Sequence, residues 1–520
     1  GEHRVRYDSL GRVVATADSA NGRWNVTRAA YDALFLQRVE DAGGSVYRFQ
    51  TNALGWPTRT FDPADTLARS TDRAFDANGR MVSTTNRRGQ TRTFAYDSLG
   101  RLRARTTGSG RADSVGYSAD GRRVAMWNAV ARDSLFYATD GWLDSSVTRL
   151  NGRRYRQWYE PDSLRRLRRH HLASDRAWEE GEDPVPFATR TYTWDDSTAL
   201  LTGLAFARTG ENYWSTPRGS VTIAYDRMRR PQRYTFAPHV WTTPALSRTE
   251  ARTVSGQVYH QRLAIADAPN GTVLERRLGY DSAGRAVAVG GAVDGVGRIA
   301  REGAVALSPP MGLGGGVDSS FGFRVFPSPQ FPSPQPRTYA HDAAGNRTEP
   351  GNLQYGVGNR VADPLTEYDL DGNVTVLRGL AGPRFFWGAD GRLDSLKVVL
   401  PEGPGTAAYR YDASGRLVNR ATIVWAHDSA YVWTTQQWFL WDGDQMVAQV
   451  SDGVPMLEFV NYPGVDRPLA ELGMGHVGYY QQDPVGNVYA ITSATHLSQT
   501  RYFAYDAFGA PVGGTQPGVM

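Results

Sequence analysis

The chain has 520 residues, too many for one compact core and suited to several domains or one repetitive architecture. Its 58 basic and 53 acidic residues leave a net charge of +5, an excess too small to point to nucleic acid by itself. It has no cysteine, which excludes disulfides, thiol catalysis and cysteine-ligated zinc.

A mean hydropathy of −0.47 marks a polar chain, yet 26 Tyr and 14 Trp are too many aromatics for a disordered one. Sheets with much wetted surface fit both facts. Lys397 is the only lysine, so nearly every positive charge is an arginine that stacks on rings and forks to carboxylates. No apolar run approaches the roughly 18 residues of a membrane helix. No signal peptide opens the chain, and GEHRVRYDSLGR starts inside a repeat, so the sequence reads as a fragment.

In chain order, the hexamer YDSLGR stands at 7–12 and again at 96–101, with YDSAGR at 280–285 and YDASGR at 411–416. Variants follow the same grammar: FDANGR at 75–80, YSADGR at 117–122, YATDGW at 137–142, YDRMRR at 225–230, HDAAGNR at 341–347 and YDLDGNV at 368–374. WGADGR at 387–392, WDGDQM at 441–446 and YDAFGA at 505–510 complete the set. Around the second copy, Phe94 and Tyr96 share one face and Leu102 and Ala104 continue the alternation after the turn, which predicts strands on both sides. Asp at the first turn position accepts the turn amides, and Gly at the fourth takes positive φ. Tyr therefore ends one strand, Asp to Gly makes the turn and Arg starts the next. The predicted corners are Tyr7, Asp8, Gly11 and Arg12; Phe75, Asp76, Gly79 and Arg80; Tyr96, Asp97, Gly100 and Arg101; Tyr280, Asp281, Gly284 and Arg285; and Tyr411, Asp412, Gly415 and Arg416. Phe75, Tyr96, Tyr117, Tyr137 and Tyr159 are spaced 21, 21, 20 and 22 residues, a step that fits one hairpin per repeat.

These motifs resemble those of the YD-repeat, rearrangement-hotspot (Rhs) family, which includes bacterial polymorphic toxins, insecticidal-toxin cocoons, wall-associated proteins and teneurins. One copy of Y-D-x-x-G-R is weak, but about a dozen copies cover nearly the whole chain. The resemblance implies an all-β fold: a repetitive β-hairpin ribbon wound into a spiral shell or partial barrel around a cargo. Counting strands at this step gives roughly 40–50, and their spacing predicts an open or partial shell, hollow on one side.

Residues 1–285 read as YD repeats, 286–338 as a Gly/Pro-rich loop or strap, 339–511 as C-terminal repeats approaching the family core, and 512–520 as a frayed end. The tandem FPSPQ of 286–338 cannot sit in central strands. It is either a strap across the sheet or its interior, or a flexible surface excursion.

No residue set commits to catalysis. The nine histidines (3, 170, 171, 239, 260, 341, 427, 476 and 496) lack metal-ligand spacing. His427, Asp428 and Ser429 are consecutive and point to alternate faces of a strand, so they form no triad among themselves. Gly312, Gly314, Gly315 and Gly316 lack the Lys-Ser or Lys-Thr of a phosphate loop. The basic run RRLRRHH (165–171) and the acidic EEGED (179–183) predict a hairpin pairing opposite charges. Asp483-Pro484-Val485-Gly486 has the letters of the family's D-P-x-G cutting sequence, but its frame, after Tyr479-Tyr480, resembles the repeat upstream of that site. No catalytic residue, cofactor or metal is therefore expected.

The resemblance implies a structural role: a shell that encloses or presents a polypeptide cargo such as a C-terminal toxin. The alternative is an extracellular adhesion or carbohydrate-binding module. Expected partners are a polypeptide cargo or the remainder of the same chain, a glycan or cell-surface ligand, and further copies through open sheet edges. Nucleic acid and a membrane span are not expected. The expected location is secreted or at the bacterial cell surface.

Overall fold

The computed structural model describes residues 2–514 except 21–22, 65–68, 176–184, 209–217, 239–245, 254–256, 266–271, 281–285, 291–353, 378–381, 401–402, 426–431, 452, 463–466, 474–475, 483–487, 494–500 and 506–510. Among the described residues there is no helix, and 38 strands follow one another from His3–Tyr7 to Pro511–Gly514. Neighbouring strands pair antiparallel, as in His3–Tyr7 with Val13–Ala20 and in Thr91–Tyr96 with Leu102–Thr107. The chain is a run of hairpins, as the alternation and the corner motif predict.

Each corner carries the same irregularity. Arg6 pairs Ala15 while Tyr7 pairs Val13, so Val14 is the extra residue of a β-bulge. The same slip leaves out Val82, Arg103, Val124 and Gln232 after their corners. A bulge adds local right-handed twist, so the corner motif also sets the coiling of the ribbon. Tyr159 is not a corner residue. It lies inside the strand Arg153–Pro161, and the corner follows at Asp162–Arg166. Pro161 takes the place of the terminal tyrosine, which displaces the expected spacing.

The chain divides into two compact units. The first comprises Gly1–Ser134 and Thr338–Trp438, so an early run of hairpins is joined by a later run. Among its described residues before Asp113, only Ser45 is buried. One sheet face exposes Arg28, Arg38, Arg48 and Arg59; the other carries half-buried Val39, Phe49, Thr60 and Phe94. The second unit comprises Leu135–Arg337 and Phe439–Met520. Here the two runs pack face to face. Leu204, Phe206, Val221, Tyr234 and Phe236 of the early run form one apolar cluster with Val460, Leu469, Leu472 and Tyr479 of the later run. The expected hollow is therefore corrected inside this unit. The inward positions of these strands are large and apolar, and the hydrophobic effect fills the gap between the sheets.

The repeats extend past residue 285: Thr272–Tyr280 pairs with a strand at Ala286–Gly290, and residues 291–338 of the Gly/Pro-rich segment lie outside the described residues. Arg501–Tyr505 pairs with Pro511–Gly514, which enters the span read as a frayed end.

Candidate functional site

The repeated corner is a small charge-locked device. Asp8 Oδ1 accepts hydrogen bonds from the backbone N–H groups of Leu10 and Arg12, both at 2.9 Å. Its Oδ2 accepts from Arg12 Nε at 2.8 Å. Asp76, Asp97 and Asp412 repeat the three bonds, with Nε–Oδ2 distances of 2.7, 2.7 and 2.6 Å to Arg80, Arg101 and Arg416. Backbone donation from Arg12, Arg80 and Arg101 holds the carboxyls of Asp8, Asp76 and Asp97 below the usual range. Gly11, Gly79, Gly100 and Gly415 take φ of +76, +80, +80 and +96°. The corner at 281–285 lies outside the described residues.

Gly100→Val forces a β-branched side chain into that left-handed position. The variant is expected to lose about 1–3 kcal/mol in chemical denaturation. A change within experimental error would contradict the required turn geometry.

The same residues lock each hairpin to the next. Tyr31, Tyr96 and Tyr117 donate their hydroxyls to the carbonyls of Val13, Met81 and Leu102, one hairpin back, at 3.0, 2.8 and 3.0 Å. The guanidiniums of Arg12, Arg80 and Arg101 lie over those three rings, 4.4–5.0 Å from the centroids. Trp194 and Trp387 reach back to Leu167 and Val374 through Nε1–H in the same way, both at 2.8 Å. Tyr7, whose strand opens the early run, is 58% exposed.

Asp32 and Asn52 are among the corners that escaped the motif reading, as are Asp162, Asp195 and Gly356. Asp32 accepts from the N–H groups of Leu34 and Phe35 with neither Gly nor Arg in its turn. Asn52 replaces Asp and accepts from Leu54 and Trp56, with Gly55 at φ +83°. An Asx residue between two alternating runs was the available signal. Arg165 and Arg229 hold the left-handed position at φ +63 and +59° in place of glycine.

In the first unit the corners of the later run dock on the opposite-end turns of the early run. At each of these corners one contact falls on the tip residue, the second after the turn's first position. Gly358 N–H donates to Ser45 Oγ at 2.9 Å. Asp371 accepts from Arg87 N–H at 2.9 Å and from Arg88 Nε at 2.5 Å. Asp390 lies 3.7 Å from Arg111, and Ser414 Oγ lies 3.1 Å from Met126 Sδ. Arg88 also donates to the carbonyls of Trp387 and Gly388, both at 2.8 Å. Asp133 pairs with the corner residue Arg416.

The second unit joins its runs partly through buried polar groups. His170 is buried, stacked on Tyr159 at 4.8 Å, with Nε2 3.0 Å from Gln157 Oε1 and Nδ1 3.1 Å from Arg190 Nη1. Arginine only donates, so Nδ1 accepts and the imidazole is neutral, with its proton on Nε2. Asp442 Oδ2 stands 4.0 Å from Nδ1, and Tyr159 donates to Asp442 Oδ1 at 2.7 Å. Desolvation, with Arg190 and His171 nearby, drives the His170 pKa well below its ordinary value. Burial pushes the carboxyl of Glu458 up to about 7 against the opposing pull of Arg190 and Arg208, the latter at 3.3 Å.

These two shifts oppose each other with pH. A depressed histidine contributes stability above its unfolded pKa near 6.5 and loses it as pH falls. A raised glutamate contributes stability below its unfolded value of 4.5 and loses it as pH rises through about 7. Between pH 7 and 5 the two contributions oppose each other, and that of Glu458, raised from 4.5 to about 7, is about 2 kcal/mol. Glu458→Gln leaves only the histidine, so its stability is expected to fall by about 2 kcal/mol more than the parent's over that range. Equal pH slopes for parent and variant would refute the pairing.

The basic run meets acids other than the expected ones. Arg168, Arg169 and His171 contact Glu160 on the preceding strand, at 2.9, 3.2 and 3.0 Å, and Arg166 pairs with Asp162 and Asp196. The acidic run at 179–183 lies outside the described residues, as do His427-Asp428-Ser429, the 312–316 glycines and Asp483-Pro484-Val485-Gly486. Among the described residues no group of three or more His, Asp or Glu is placed to hold a metal ion.

The RHS Repeat family model matches residues 75–112, which span the corners at Asp76 and Asp97. No curated protein matches the chain in sequence. The chain shares its fold with the crystal structure of TcdB2-TccC3-TEV (16% identity, TM-score 0.64, 98% of this chain and 28% of that one). TcdB2-TccC3-Cdc42 is similar at 14% identity and TM-score 0.64, over 98% of this chain and 28% of that one. The Photorhabdus luminescens Tc holotoxin pore with the TccC3-D651A mutation is similar at 15% identity and TM-score 0.64, over 98% of this chain and 27% of that one. The chain thus spans little more than a quarter of the length of these structures' chains. With its repeated corner, its matched RHS Repeat at 75–112 and its hairpin-ribbon fold, the chain carries YD repeats of the Rhs type and has the fold of the TcdB2-TccC3 structures.

Proposed function

We propose that the chain builds the wall of a shell that encloses or presents a polypeptide cargo, as part of a secreted bacterial protein, and that its role is containment rather than catalysis. The observation that carries this reading is the docking of later corners on earlier turns. A ribbon that closes on itself with its own repeat unit needs no other element to make a continuous wall. The half-buried Val39, Phe49 and Phe94 face in the first unit supports it, being suited to an unfolded chain. So do the structures of similar fold, named with TEV in one case and Cdc42 in another after the same TcdB2-TccC3. A glycan-binding reading draws no support from the exposed aromatics. Among the described residues, Tyr7, Trp24, Phe136, Phe386 and Trp425 stand on five strands of which no two are paired neighbours.

The test is protection. A protease-sensitive reporter polypeptide fused after Met520 should survive protease doses that digest the free reporter. Digestion at the free reporter's rate would overturn the containment reading.

A further inference from the structure

In the second unit the strand Leu246–Arg252 turns Leu246, Arg248 and Glu250 inward, and all three are buried. Leu246 joins the apolar cluster, but Arg248, two residues on, is 0% exposed. Its guanidinium lies over the ring of Tyr234, its cross-strand neighbour, 4.2 Å from the centroid. A ring face attracts the cation but accepts none of the five N–H bonds, which point outward in the guanidinium plane. Among the described residues, Nε, Nη1 and Nη2 of Arg248 have no hydrogen-bond partner.

Glu250 does not fully answer this charge. Its Oε1 is 3.7 Å from Arg248 Nε, beyond hydrogen-bond reach. Both of its oxygens are engaged elsewhere: Oε2 accepts from Arg252 Nη2 at 2.6 Å and Oε1 from Gln261 Nε2 at 3.2 Å. Glu250 thus shares one negative charge between two guanidiniums, and an arginine keeps its charge inside a protein. Gln261 Oε1 also lacks a hydrogen bond among the described residues, but it is neutral and offsets nothing. Arg467, on the later run, adds to the positive field. Burial pushes the Tyr234 phenol up, and Arg248 and Arg467 both pull against it. A buried cation with unmet donors and half a counter-charge is among the costliest arrangements a core can hold.

We propose that Arg248 is a binding site for a small monovalent anion, chloride, held in the fork of its in-plane N–H groups. A halide brings one negative charge, accepts from several donors at once and has no donor of its own to satisfy. Sulfate or phosphate would overshoot the charge excess, and the apolar faces of Leu246, Tyr234 and Phe236 offer nothing to replace the hydration of a dianion. The site lies at a joint between the two runs. Gln261, bonded to Glu250, also donates to the backbone carbonyl of Gln482 on the later run at 3.1 Å. Chloride therefore stabilises the packing of early run on later run. The inference does not depend on what the shell contains.

Denaturation of the full chain in sodium chloride and in sodium gluconate, each at about 0.1 M, tests it. Gluconate matches the ionic strength but carries its charge on a bulky chain that packed sheet faces exclude. In chloride the unfolding equilibrium constant of the second unit should be about tenfold lower, the mass-action effect of a ligand at about ten times its Kd. Hydrogen exchange along Leu246–Arg252 should slow by a similar factor. Arg248→Met keeps the stem and removes the charge, so its curves in the two salts should coincide. Asp483→Asn removes the acid next in sequence to Gln482 and should respond to chloride like the parent. Crystals of the parent grown in sodium bromide should show an anomalous peak in the plane of the Arg248 guanidinium, a readout that stands even if Arg248→Met fails to fold. Equal stability of the parent in the two salts, an equal chloride effect in Arg248→Met, a chloride effect confined to Asp483→Asn, or no bromide peak at Arg248 would each overturn the inference.

Discussion

Tyr479→Ala is expected to destabilise the second unit by about 3–5 kcal/mol, the range for removing a buried aromatic ring. The ring is 1% exposed and lies 5.2 Å from Phe236 and 6.2 Å from Phe206, centroid to centroid. It belongs to the later run, and both phenylalanines belong to the early one. Gly219 packs against its hydroxyl end, where even a methyl group would collide with it. Chemical denaturation reads the total loss. Hydrogen exchange should speed up in both Leu201–Arg208 and Pro468–Gly473. A loss below about 1 kcal/mol would mean that the two runs do not share this core.

Arg88→Met tests the other kind of joint and is expected to cost about 3 kcal/mol in the first unit. The guanidinium is mostly buried and satisfies Asp371 together with the carbonyls of Trp387 and Gly388. Asp369 stands 3.5 Å away. Methionine keeps the stem and removes every donor, leaving two carboxylates and two carbonyls to find water. Because this joint is ionic, high salt should narrow the difference between parent and variant. The Tyr479 variant should show no such narrowing. If Arg88→Met were neutral at low salt, the corner-to-turn docking would carry no energy.

The corners were legible because their chemistry is local. Asp, Gly and Arg within five residues satisfy one another, so the letters alone state the turn. Asp32 and Asn52 were missed because an Asx cap works without the remaining letters. The lock between hairpins was hidden for a different reason. That Tyr96 donates to Met81 is a matter of how one hairpin lies on its neighbour, and the hexamer does not encode it. The docking position is harder still. Among the tips it reads as Leu, Met, Asn, Asp, Gly or Ser, a variable site within the motif, and its meaning comes from partners nearly 300 residues away, as with Arg88 and Asp371. Buried charge was the last blind spot. Arg248 is fully buried over the Tyr234 ring, 4.2 Å from its centroid, with Glu250 3.7 Å from its Nε, yet in the sequence it is one more arginine on an alternating strand.

The central claim is that later corners of the ribbon seat on earlier turns through their tip residues. The absence of native cysteine gives a clean way to measure this. In Met126→Cys, Ser414→Cys the two introduced thiols replace side chains that lie 3.1 Å apart across 288 residues of sequence. Mild oxidation of the dilute, folded chain should trap them as an intramolecular disulfide, seen as a faster-migrating band that reductant reverses. The pair Leu10→Cys, Ser414→Cys, which puts one thiol on the opposite edge of the early run, should stay reduced within the chain. Equal trapping of both pairs, or of neither, would contradict the account.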